Sequence, residues 1–266
     1  MKEVQPIRDP GIKMLRNGRW QVMSEPLNYD RFFAGIGLAA SFAQAWRTDH
    51  PEEEIGLIPC ADGGSMLDEW QPGCALFDHA VMQAKLAQRI SVIDGILWHQ
   101  GETDCPSERV ICYEKKLDGI VAELRRQLEL PNVPFIVGGL GDYLPECPLH
   151  DYFVNAPKVT AALLHFAETH EHTLFVTAKG LTCNPDHLHF NAISQRIFGI
   201  RYYSSYVNQV NVMEPLPNEE EVVRQQNEYV EIPLEEKQRM LKQQLDEGKI
   251  DKQMYDRLVD ALISTM

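Results

Sequence analysis

The chain has 266 residues, 44% of them hydrophobic and 24% charged, enough apolar material for one sizeable core with an appendage. Its 25 basic residues face 39 acidic ones, giving a formal charge of -14. That balance, with no basic patch, argues against a nucleic-acid partner and against binding to an anionic membrane surface, and no run reaches the roughly 18 apolar residues of a membrane span.

Residues 1–34 hold no clear periodic element and read as a long loop, with Asn17-Gly18 as a tight turn that could join Lys13–Arg16 and Arg19–Met23 as a hairpin. The opening stretch has no apolar targeting region. From Gly35 to Trp46 apolar residues recur at helical spacing, and Ile55–Cys60 then reads as a buried strand leading into Ala61-Asp-Gly-Gly-Ser-Met66. The alternation continues with a helix over Leu76–Arg89, a strand over Gly95–Gln100, a helix over Glu108–Leu128 and a strand over Phe135–Leu140. After these come a helix over Asn155–Thr169, a strand over Leu174–Ala178 and a helix over Ala192–Tyr206. Strands separated by helices of ten or more residues predict one doubly wound α/β sheet with parallel strands.

Composition changes after Met213. Residues 213–233 read as an acidic, proline-punctuated linker, setting an α/β domain over residues 1–212 apart from residues 234–266. Within the latter, Leu234–Glu247 and Ile250–Ile263 are amphipathic and broken at Gly248, the pattern of a helical hairpin that packs on its own domain or on a second subunit. The six cysteines show no C-x-x-C pair and several lie in or beside apolar runs, which predicts reduced thiols and a cytoplasmic setting.

The chemistry-bearing residues sit where strands end, the edge at which open α/β sheets bind ligands. Gly95–Gln100 runs directly into His99, Gln100, Glu102 and Asp104. In Asp186-His-Leu-His189, a carboxylate and an imidazole three residues apart on one turn suit a general base whose tautomer is fixed by the acid. The same residues also suit a histidine satisfied at a helix cap. His187 and His189 alternate as metal ligands sometimes do, but no zinc spacing accompanies them. Two glycines before Ser65 can present a backbone N–H to a carbonyl oxygen, half of an oxyanion hole, and Gln100 can supply a side-chain donor; a plain strand-to-helix turn explains the glycines equally well. Trp70 and Tyr143 are candidate platforms for a sugar ring.

Taken together, Ile58-Pro-Cys-Ala-Asp-Gly-Gly-Ser-Met-Leu-Asp-Glu-Trp70, Gly95-Ile-Leu-Trp-His-Gln-Gly-Glu-Thr-Asp104 and Asn184-Pro-Asp-His-Leu-His-Phe-Asn-Ala-Ile-Ser-Gln195 resemble the SGNH-type carbohydrate acetylesterases, the sialate O-acetylesterase-like domain family. The likeness runs from about residue 12 to residue 206 and leaves out the C-terminal hairpin. The resemblance implies a flavodoxin-like sheet and hydrolysis of O-acetyl esters on a sugar or small-molecule substrate by a serine nucleophile, with no metal or organic cofactor. His189 matches the family's base, Asp186 its acidic partner with Glu102 as the alternative, and Gly64 and Gln100 its oxyanion donors. The family's first block, a strand ending in G-Q-S-N-M that supplies the serine, has no counterpart here. The expectation is an N-terminally shortened and impaired enzyme, lacking the strand between Ile55–Cys60 and Gly95–Gln100. The competing expectation is a non-catalytic carbohydrate-binding or interaction protein. Ser65 is the only substitute nucleophile beside the presumed site, and it lacks the G-x-S-x-G elbow that aims a hydroxyl.

Overall fold

The computed structural model describes residues 4–31, 34–226 and 234–264, and the chain divides into two compact units, Met1–Asn227 and Glu228–Met266. In the first unit β1 (Ile12–Arg16) and β2 (Arg19–Val22) form an antiparallel hairpin. Asn17 (φ 50°) and Gly18 (φ 73°) turn it, both left-handed as a two-residue hairpin turn requires. The opening segment is therefore no long loop. Ile12 and Met14 are fully buried, and β1 pairs in parallel with β3 (Ile55–Leu57) on its other side. A strand this short shows too little alternation to be read before its distant partner is known.

Where one continuous sheet was expected, two of three strands form, with orders β2-β1-β3 and β4-β5-β6. The second sheet is all parallel: β4 (Ile96–Trp98), β5 (Phe135–Gly138) and β6 (Thr173–Val176). No hydrogen-bonded ladder joins β3 to β4 among the described residues. Helices tie the sheets together: α1 (Leu38–Asp49) packs on β1, β3 and α7 (Ala192–Asn208), and α7 packs on β5 and β6. The α1–α7 approach is close enough that a Cβ on Gly199 would lie 2.1 Å from the Leu38 carbonyl oxygen. The opposite face of the second sheet is covered by α2 (Ala75–Ala87), α4 (Tyr113–Leu128) and α6 (Ala156–Thr169), whose Phe77, Leu117, Ile120, Val159 and Phe166 are fully buried. Every residue of β5 and β6 is buried, as expected of strands covered on both faces.

Two expected boundaries move. The helix read over Glu108–Leu128 is split into α3 (Ser107–Val110) and α4, because Cys112 leaves helical geometry and starts α4 at Tyr113, whose ring is fully buried. A further short helix, α5 (His150–Phe153), precedes α6. The acidic stretch read as linker contains α8 (Glu219–Gln226). Glu219 enters the first unit and accepts two bonds from the buried Arg201 guanidinium at 2.8 and 2.6 Å, so its charge is matched rather than solvated. In the second unit α9 (Leu234–Asp246) and α10 (Lys252–Ser264) pack on each other across a turn at Gly248, φ 69°. No described helix is long and apolar enough to cross a membrane.

Candidate active site

Three strand tips and one turn supply the site. After β3, Gly64 takes φ 77°, a left-handed conformation that glycine adopts without strain, and a Cβ there would meet nothing within 4 Å. Its N–H donates to no protein acceptor among the described residues, while its carbonyl accepts from Thr103 Oγ1 at 3.0 Å. That bond ties the β3 tip to the β4 tip. Asp104, 1% exposed, strengthens the tie by accepting from Leu67 N at 3.0 Å and from Gln100 Nε2 at 2.6 Å. Asp104 is thus a brace between loops, not a group facing solvent.

Gln100 is fully engaged. Its Nε2 donates to Ser65 O (3.0 Å) and to Asp104, and its Oε1 accepts from Tyr113 Oη at 3.2 Å. Both amide hydrogens therefore hold the two loops together in this arrangement, and to act as an oxyanion donor the side chain must release one of them. Ser65 is 7% exposed; its Oγ donates to Asp62 O at 2.8 Å and accepts from Trp70 Nε1 at 2.9 Å. A hydroxyl held that way is a loop brace, and no described hydroxyl is hydrogen-bonded to His189. Trp70, 8% exposed and edge-on to Trp98, belongs to the core and offers no sugar platform. Tyr143 likewise braces: its hydroxyl donates to Leu188 O at 2.8 Å and its ring meets Phe190 edge-on.

The turn before α7 carries the imidazole. Asp186 and His189 do not share a helical turn as the spacing suggested. Instead Asp186 Oδ1 accepts from the backbone N–H of Leu188 (2.9 Å) and of His189 (3.0 Å), curling the loop, while Oδ2 bonds His189 Nδ1 at 2.9 Å. Left-handed His187, φ 57°, completes the turn with its side chain exposed. One carboxylate thus fixes both the loop and the ring, leaving Nε2 of the 62%-exposed His189 side chain open to an incoming proton. Burial pushes the Asp186 carboxyl up, but the backbone and His189 hydrogen bonds outweigh it and hold the group below the ordinary value.

Glu102 belongs to the same cluster by another route. Its Oε1 lies 3.3 Å from His99 Nε2 and the carboxylate is within electrostatic reach of His189. Burial raises its pKa, yet the charge and hydrogen bond of His99, with help from the backbone and His189, leave it lowered overall. His189 lies within electrostatic reach of Glu102, while the Thr103–Gly64 and Gln100–Ser65 bonds tie the β4 tip to the Gly64 turn. Sequence reasoning missed Thr103, Tyr113 and Phe190, whose roles depend on contacts between distant loops and leave no spacing signal.

An imidazole fixed by a carboxylate on the turn before α7, with a left-handed glycine turn after a parallel strand, suits an ester hydrolase built on an α/β frame. Residues 2–208 match the family model described as carbohydrate esterase, sialic acid-specific acetylesterase, and the chain belongs to that family. A probable carbohydrate esterase of Arabidopsis thaliana is 29% identical over 207 residues, 74% of this chain and 74% of that protein. The solved structure of an Arabidopsis thaliana protein superposes with a TM-score of 0.69 at 27% identity, covering 77% of this chain and 83% of the other. A carbohydrate acetylesterase from Xanthomonas citri shares the fold, with a TM-score of 0.50 at 18% identity over 74% of this chain and 48% of its own.

Proposed function

We propose that this carbohydrate esterase removes acetyl groups from O-acetylated sugars of the sialate type. His189 Nε2 takes the proton of an attacking serine hydroxyl and returns it to the leaving sugar oxygen. Asp186 fixes the ring and stabilises the imidazolium, and Gly64 N–H with a released Gln100 amide holds the oxyanion. The observation that carries this reading is the 2.9 Å Asp186–His189 pair, whose imidazole is within electrostatic reach of Glu102 at the β4 tip.

The serine itself we assign to a further parallel strand seated between β3 and β4, completing an SGNH-type, flavodoxin-like sheet. Support comes from the two half-sheets braced by the same α1–α7 layer, each ending in a parallel strand with one unpaired side. The engagement of Ser65 in two hydrogen bonds favours one rival, a protein that holds an O-acetyl glycan without cleaving it. The free cysteines suit a cytoplasmic setting, and the outward Met254 and Leu258 of α10, 40% and 36% exposed, suit self-association through the hairpin.

The test is acetate release from an aryl acetate and from an O-acetylated sialic acid. It is run with the 266-residue chain and with a chain extended by the upstream reading frame. Release by the extended chain that disappears in His189→Ala supports the hydrolase. Release by the shorter chain that disappears in Ser65→Ala moves the nucleophile to Ser65. Saturable binding without release by either form leaves the binding protein.

A further inference from the structure

His99 has no part in the mechanism above, yet its surroundings are built. Its ring lies edge-on to Phe198, with centroids 5.3 Å apart, and tilted against Phe190 at 5.5 Å. Phe190 follows His189 directly, is 6% exposed and meets Phe198 edge-on at 5.4 Å, so His99 joins a three-ring cluster built on the loop and helix that carry the base. The ring's two nitrogens have unequal surroundings. Nε2 meets Glu102 at 3.3 Å, whereas Nδ1 is buried with no partner. An N–H on Nδ1 would be stranded beside aromatic rings, at a cost of about 1–3 kcal/mol for an unmet buried donor. The tautomer that places its proton on Nε2, facing Glu102, avoids that loss.

We propose that His99 is a positioning residue: packed against Phe190 and Phe198 and 3.3 Å from Glu102, it holds that side chain as a second carboxylate beside His189 and couples the β4 tip to the base-carrying loop. The inference deepens the acetylesterase reading and rests on it for its catalytic meaning. Its physical content, that His99 governs the charge of Glu102, stands apart from turnover.

The other groups around Glu102 make the assignment testable. From α4 comes Tyr113, from the loop after β5 Tyr143, and from α7 Tyr202, and each is raised by burial first, with the Glu102 charge adding to it. Cys105 and Asp104 lie on the same loop as Glu102, and Asp186 and His189 approach from the turn before α7. Of these groups only the two histidines lower the Glu102 pKa, and His99 contributes the larger part. Removing the His99 donor while filling its place takes away the largest of the contributions that hold the Glu102 pKa down.

The experiment is a carboxyl ¹³C titration of the full chain labelled at glutamate, with Glu102 assigned by its loss in Glu102→Gln, compared among wild type, His99→Phe and His99→Gln. Phenylalanine keeps the aromatic packing without a donor, and glutamine keeps a neutral donor without the ring. In wild type Glu102 should titrate below the ordinary glutamate value of 4.5. In His99→Phe it should rise by about one pH unit or more, and in His99→Gln by less. If His99→Phe fails to fold, the His99→Gln rise carries the test. A Glu102 midpoint that stays at the wild-type position in the folded variants overturns the proposal, because a residue that only packs would leave it there. Because the readout needs no turnover, failure to release acetate would count against the acetylesterase reading and leave the coupling standing.

Discussion

Replacing Arg196 with methionine should cost this protein a large part of its stability. The Arg196 side chain on α7 is 0% exposed and that of its partner Glu25 is 1% exposed, and two bonds of 2.6 Å join them. Arg196 also donates to Gln5 O at 3.1 Å, and Glu25 accepts from Ile7 N at 2.9 Å. One ion pair thus fastens the segment before β1 and after β2 to the helix beneath the second sheet. Methionine fills much of the space but leaves the carboxylate buried with a single backbone donor. Removing one partner of a buried pair costs about 3–5 kcal/mol, against a net stability of roughly 5–15 kcal/mol. At about 2–4 °C per kcal/mol for a unit of this size, the melting temperature should fall by about 6–20 °C. The double variant Arg196→Met/Glu25→Met should recover most of the loss, because an apolar pair of similar volume carries no stranded charge. Calorimetry and urea unfolding of the wild type, Arg196→Met, Glu25→Met and the double variant close the cycle. A single variant that loses less than about 1 kcal/mol, or a double variant no more stable than the single, would refute the electrostatic reasoning and point to packing alone.

Other consequences are as specific. Gly199→Ala puts a methyl group 2.1 Å from Leu38 O and from Ser41 Oγ, so the α1–α7 contact must open; a loss of about 1–3 kcal/mol or more in urea unfolding is expected. Glu102 has a folded-state pKa below its unfolded value. Its stabilising contribution is therefore complete above about pH 4.5 and lost as pH falls through the lowered folded value, and Glu102→Gln should flatten that acid limb in pH-dependent melting. Burial pushes the Cys60 and Cys105 thiols up to about 12, so neither should be alkylated by iodoacetamide at pH 8 while the fold is intact, as peptide mapping would show. In whichever form of the chain releases acetate, Asp186→Asn should cost about 10²–10⁴ in kcat, since the ring loses its fixed tautomer. A change of less than threefold, on the order of 0.6 kcal/mol, would remove Asp186 from that role.

Much of this protein could be read from its amino acids alone. The apolar runs that become β3 to β6 and the helices between them follow from local pattern, because strands buried on both faces leave unbroken hydrophobic stretches. The family blocks likewise put His189, Asp186, Glu102, Gly64 and Gln100 at strand ends or loops. Tertiary structure decided the rest, and it did so wherever a group's role depends on a partner far along the chain. Ile12 and Met14 look like loop residues until β3 pairs beside them. Glu219 looks like part of a solvated acidic run until Arg201 draws it inward. Nothing in the spacing of Gln100 or Ser65 shows that Asp104 holds the one and Asp62 and Trp70 the other. Hydrogen bonds and buried charges are satisfied by proximity in space, and proximity between distant segments is not written in the spacing of residues along any one of them.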